Sequence, residues 1–190
     1  MSPPQPEITL GPDDYLAWEQ DQPCRNEYVD GKVFAKGGAS DAHGTAAGNL
    51  AALLHAALRG KPCRPFIADM KVHVETANSF FYPDIFVTCD PRDRAPEASH
   101  VKRHPVLIVE VLSPTTEAYD RGNKFAAYRT LASLQEYVLV STEQRRVEVF
   151  RRDDTGHWVL YPFALDEELE LASIDFRCSL ADVFEGVEDQ

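Results

Sequence analysis

The stretch VLIVEVL, residues 106–112, constrains the fold more than any other part of the chain, because it is apolar on both faces and yet carries a carboxylate. Such a run reads as a central strand covered on both sides, the pattern of a buried strand in a sheet with parallel neighbours. Glu110 interrupts it. An ionised carboxylate in that place is costly unless a cation or several hydrogen-bond donors meet it. Strand alternation sets Val106, Ile108, Glu110 and Leu112 on one face, with Glu110 near the C-terminal end, where ligands gather in open α/β sheets. The plainer alternative is a structural ion pair with a buried Arg or Lys.

The segments around this strand set the fold class. PDDYLAWEQ reads as a short helix opened by Pro12 or Asp13. NEYVDGKVFAKG reads as two strands around Asp30-Gly31, a tight hairpin turn. SDAHGTAAGNLAALLHAALRG is a helix with Ser40 or Asp41 as its N-cap and Gly60 as its stop. RPFIADMKVHVE, SFFYPDIFVTCD and HPVLIVEVLS each read as one strand, and SPTTEAYDRGNKFAAYRTLAS as a helix started by Ser113 or Thr115. EYVLVS, RRVEVFRR and HWVLYPF follow as strands. This order predicts an α/β (α+β) chain, a mixed central sheet flanked by helices. With no linker in 190 residues, a single domain over 1–190 is expected, with 1–12 as an extended N-terminal arm.

Composition excludes several classes. No apolar run approaches the roughly 18 residues of a membrane span, and the N-terminus lacks the basic and apolar regions of a secretory signal, so a cytoplasmic protein with no membrane partner is expected. Cys24, Cys63, Cys89 and Cys178 are scattered without metal-ligand spacing and read as reduced, mostly buried thiols. The 31 acidic residues against 19 basic ones give a net charge of −12, which repels a polyanion at long range.

Asp84 follows Pro83 inside FFYPDIFV, and a proline within a strand marks an edge or a bulge, features common beside active sites. Two carboxylates on neighbouring strands can converge on a divalent cation, and oxygen donors of this kind favour Mg²⁺ or Mn²⁺ over zinc. Lys124 lies on the helix after Glu110 and shares a face with Asp120 and Tyr128 by four-residue spacing. From there an ammonium can orient a water and offset charge developing on a phosphate. Glu27, His43 and Asp69 are weaker candidates, each readable alone as a structural residue. No GxxxxGK, GxGxxG, HExxH or GxSxG motif is present, so nucleotide-dependent, zincin and serine-hydrolase chemistries lack their usual handles.

Asp84 in YPDIFV, Glu110 in LIVEVLSPTT and Lys124 in DRGNKFAAY, in this order and spacing, resemble the Uma2 family of restriction-endonuclease-like proteins, within the PD-(D/E)XK nuclease superfamily. The resemblance runs from NEYVDGKV through the His43 helix to LQEYVLVS. It implies a restriction-endonuclease-like core and metal-dependent hydrolysis of phosphodiester bonds in nucleic acid, DNA first. Carried over residue by residue, Asp84 and Glu110 would ligate Mg²⁺ or Mn²⁺ with the Val111 carbonyl as a third ligand, Lys124 would position the attacking water, and Glu27 would be an accessory carboxylate. His43, Asp69, Asp120 and Tyr128 would support the site. The sequence departs from the superfamily pattern at Leu112, which stands where a strand lysine is expected, so Lys124 must arrive from the helix instead.

Two other readings stand beside this one. A nuclease fold kept as a catalytically silent binding or scaffold module would suit the acidic charge and the missing strand lysine. A two-carboxylate glycosidase would need an open sugar cleft. For a nuclease with one site per chain, cutting both strands of a duplex favours a two-fold symmetric homodimer.

Overall fold

The computed structural model describes residues 9–188. In chain order the elements are α1 (Pro12–Glu19), β1 (Asn26–Val29), β2 (Lys32–Ala35), α2 (Asp41–Ala57), β3 (Arg64–Ile67), β4 (Lys71–Val74), β5 (Ser79–Phe81), β6 (Ile85–Thr88), β7 (Val101–Lys102), β8 (Pro105–Val111), α3 (Glu117–Tyr119), α4 (Phe125–Tyr128), β9 (Glu136–Ser141), β10 (Arg146–Arg152), β11 (Trp158–Phe163), β12 (Glu168–Leu171), β13 (Phe176–Ser179) and α5 (Leu180–Val183). Of the arm expected over 1–12, residues 1–8 lie outside the described residues. Thr9 bridges Lys32, and Pro12 already opens α1.

A mixed sheet, in the order β11-β10-β9-β8-β6-β3, has β8 near its centre, antiparallel to β6 and parallel to β9. A second sheet, β2-β1-β5-β4-β7, carries the hairpin. Its Asp30-Gly31 turn has both residues at positive φ, 45° and 92°, as a tight hairpin turn requires. Leu107, Val109 and Val111 of β8 pack with Ala42, Ala46, Leu50 and Leu54, the buried stripe of α2, whose N-terminus is capped by the Ser40 hydroxyl accepting from the His43 N–H. The alternate residues Ile108 and Leu112 join Phe81, Phe86, Tyr128 and Tyr137 in a second apolar cluster. Glu110 lies on that second face and is itself buried.

The structure corrects three expectations about the elements. SFFYPDIFVTCD is two strands in different sheets rather than one, because Pro83 has no N–H for a ladder and the chain crosses between sheets at Tyr82-Pro83-Asp84. RPFIADMKVHVE likewise breaks at Ala68–Met70 into β3 and β4. The helix after β8 begins at Glu117, later than the Ser113 or Thr115 start expected, and α3 runs into α4 through a π-helical turn over Asp120–Lys124. Such turns are frequent at functional sites. Glu136, on β9, accepts from Arg151, the Ala172 and Ser173 N–H groups and the Ser173 hydroxyl, so a fully buried carboxylate ties the central sheet to the C-terminal segment.

The reading of four reduced thiols is overturned. Cys63 and Cys89 form a disulfide, while Cys24 and Cys178 are free. Pairing of Arg64 with Thr88 sets the two cysteines opposite one another at the ends of β3 and β6, a tertiary contact that no local cysteine spacing announces. Alkylation of the denatured chain without reductant should therefore label two cysteines by mass, and four after reduction. Four labels without reductant would contradict the pairing.

Candidate active site

Pro83 turns the chain so that Asp84 stands at the entrance of β6, beside the end of β8. The Val111 N–H donates to Asp84 Oδ2 at 2.9 Å, which locks the two strands together at the carboxylate. Lys36 Nζ lies 3.0 Å from Asp84 Oδ1, and His43 Nε2 3.2 Å from Oδ2. Burial pushes the Asp84 carboxyl up, but the His43 hydrogen bond, the Lys36 ammonium and the Val111 N–H together hold it well below the usual carboxylate range.

Glu110 is fixed from the helix side. Tyr128 donates its hydroxyl to Glu110 Oε1 at 3.1 Å, and Lys124 Nζ lies 3.0 Å from the same oxygen. The π turn is what brings the lysine here, since Asp120 and Lys124 both fall within it and both are buried. Lys124 Nζ is also 3.3 Å from Glu27 Oε1 and 3.7 Å from Asp120 Oδ1. Glu27 is held in turn by the Tyr82 N–H at 3.0 Å. Burial would strip the lysine of its proton, but Glu110, Glu27 and Asp120 outweigh it and hold Lys124 as an ammonium. Burial pushes the Glu110 carboxyl up to about 8 against the pull of Lys124, with the Asp84 and Asp120 charges adding to the rise.

The site therefore carries four carboxylates, Glu27, Asp84, Glu110 and Asp120, against two ammonium groups, Lys36 and Lys124. Most of that excess negative charge is buried, and burial is what makes it costly. The cluster borders a cleft of about 870 Å³ whose other wall is the α2 face. Among the described residues no three His, Cys, Asp or Glu side chains stand close enough together to form a ready metal cage; Lys36 and His43 engage Asp84, and Lys124 sits against Glu110.

Glu27, Asp84, Glu110, Asp120, Lys124 and Tyr128 thus meet in one place, joined by His43, and Val111 borders the cleft. Asp69 does not join them. It is exposed in the turn between β3 and β4 and pairs with Arg25 at 3.1 Å. Lys36 was not foreseen. The signal available for it was weak: a single lysine before Gly37-Gly38, two residues past Phe34, and so on the same hairpin face as the residue opposite Glu27.

A mixed sheet flanked by helices, with carboxylates from neighbouring strands meeting a lysine from the next helix, defines a restriction-endonuclease-like fold. A crystal structure described as a putative nuclease belonging to DUF820, from Anabaena variabilis, superposes with a TM-score of 0.76 at 18% identity, covering 94% of this chain and 99% of that one. The chain belongs to the Uma2 family, whose model, described as "Putative restriction endonuclease", matches residues 12–181. Two uncharacterized proteins of Synechocystis sp. are also similar. One is 37% identical over 98% of this chain and 97% of its own length, the other 31% identical over 77% and 83%.

With Lys124 removed, Glu27, Glu110 and Asp120 lose the cation they share. Lys124→Met should lower stability by about 3–5 kcal/mol in urea unfolding with chelator present. A loss under about 1 kcal/mol would show that the three carboxylates do not depend on this lysine.

Proposed function

We propose that this chain is a metal-dependent endonuclease that hydrolyses phosphodiester bonds of nucleic acid, DNA first, with Mg²⁺ or Mn²⁺ as its cofactor. The observation that carries the reading is the meeting of Asp84, Glu110 and Lys124, from two neighbouring strands and a helix, beside an open cleft. Family membership supports it, through a description that names restriction endonucleases.

The residues fit a hard divalent ion. Mg²⁺ is commonly held by one or two carboxylates with waters completing its shell, so Asp84 and Glu110, with the Val111 carbonyl as third ligand, are a sufficient donor set. The cluster's carboxyl groups outnumber its ammonium groups, and a divalent ion would supply the positive charge that favours the ionised form of Glu110, which burial otherwise raises. When bound, the ion supplies Lewis-acid polarisation of the scissile phosphate and a lowered pKa for a bound water.

The chain's own groups supply the rest. Lys124 holds the attacking water in line and offsets charge on the phosphate oxygens, arriving from the helix because Leu112 occupies the strand position. Tyr128 fixes the orientation of Glu110, while Lys36 and His43 fix Asp84, the supporting contacts on which ligand geometry depends. Glu27, anchored on the Tyr82 N–H, and Asp120 keep Lys124 charged. A two-fold symmetric homodimer would set two such sites in one assembly.

Incubated with Mg²⁺ or Mn²⁺ and a panel of duplex, single-stranded and branched DNA and RNA, the protein should cut at least one substrate, and chelation should stop it. Glu110→Gln should reduce cleavage to background with folding intact, and His43→Ala should lower it about 10–100-fold. Full activity in the glutamine variant would rule this mechanism out, and the absence of any cleavage would favour a silent scaffold.

A further inference from the structure

The cleft has two unlike halves. One is the charged cluster; the other is apolar, walled by Gly44, Ala47, Gly48 and Ala51 of α2, with Phe34 and Ile67 at the rim. Phe34 is 52% and Ile67 57% exposed, the two most exposed large apolar side chains among the described residues, and both face the same cleft. About 870 Å³ is the room of a small-molecule site, more than a bare ion and its waters need.

The two glycines of α2, Gly44 and Gly48, both line this space. A Cβ added at Gly44 or Gly48 would meet nothing within 4 Å, so neither is needed for helix packing, and neither has a positive φ. Glycine inside a helix is a poor choice unless something requires it. Both residues border the cleft, with open space where a side chain would stand.

Charge decides what can enter. Among the described residues the two lysines that line the cleft are committed, Lys36 to Asp84 and Lys124 to Glu110, the His43 ring lies against Asp84 as well, and the chain as a whole carries −12. A nucleic acid held by its phosphates alone needs uncommitted Lys and Arg side chains along its path, whether it is duplex or single strand. Stacking on an aromatic ring adds affinity that no cation has to supply, and it works on any base whose face is free.

We propose that the apolar half of the cleft receives one unpaired nucleobase of the substrate strand, stacked against Phe34, so that the site acts on single-stranded or locally unpaired nucleic acid. This rests on the nuclease reading above and names its substrate class. A base drawn into the space left by Gly44 and Gly48 brings its own backbone phosphate toward Asp84 and Glu110, whereas a base held in a duplex has no free face to offer.

The test is fluorescence anisotropy with Ca²⁺ present, using an end-labelled mixed-sequence DNA 12-mer, the RNA of the same sequence and the corresponding blunt DNA duplex. Wild type should bind a single strand at least about ten-fold more tightly than the duplex, the DNA and RNA arms identifying the preferred sugar. Phe34→Ala should weaken single-strand binding about ten-fold. Gly48→Leu, whose Cβ meets nothing within 4 Å and whose side chain would extend into the cleft, should do the same with no fall in thermal midpoint, while Gly48→Ala should be closer to wild type. Single-strand binding unchanged in both Phe34→Ala and Gly48→Leu, or tighter binding of the duplex, would overturn the base pocket and leave the nuclease reading standing. No binding of any nucleic acid by wild type would overturn both.

Discussion

The buried Lys124 ammonium is the contact on which the arrangement turns. It touches carboxylates from three separate parts of the chain: Glu27 from the first hairpin, Glu110 from the central strand, and Asp120 from its own helix. None of these groups is tolerable in the interior alone, and each becomes so through the others. The cluster therefore fixes how the hairpin sheet, the six-stranded sheet and the π turn stand around one cleft. Its carboxyl groups still outnumber its ammonium groups, the imbalance on which the proposed cation rests.

A second constraint works through Pro83. The proline forbids one continuous strand across residues 79–90, so the chain passes from one sheet to the other at Asp84. That crossing aims the aspartate at the end of β8, where the Val111 N–H receives it. A residue that spoils a strand is thus what sets the distance between two carboxylates on neighbouring strands.

Much of this was legible in the sequence, for identifiable reasons. Glu110 stood out because a charge inside VLIVEVL contradicts its surroundings, and the strand, the α2 cap at Ser40 and the Asp30-Gly31 turn follow local rules that tertiary contacts did not override. The four-residue spacing of Asp120, Lys124 and Tyr128 put them on one face, although the turn between the first two is π-helical. What stayed hidden depended on contacts distant in sequence. The Cys63–Cys89 pairing follows from strand register, the Lys36 contact with Asp84 spans 48 residues, and Asp69 looks like other strand-adjacent acids until Arg25 is seen beside it. The β12–β13 hairpin and α5 were not foreseen, because the acidic residues of LDEELELASIDF mask the apolar positions with which this segment covers the α2 core.

The central claim is that Asp84 and Glu110 share a divalent cation. Calorimetric titration of Mn²⁺ and Mg²⁺ into the wild-type protein, Asp84→Ala and Glu110→Ala tests it without knowledge of the substrate. Wild type should bind one or two ions, and both variants should lose them. Wild type that binds no ion, or variants that bind as wild type does, would contradict it.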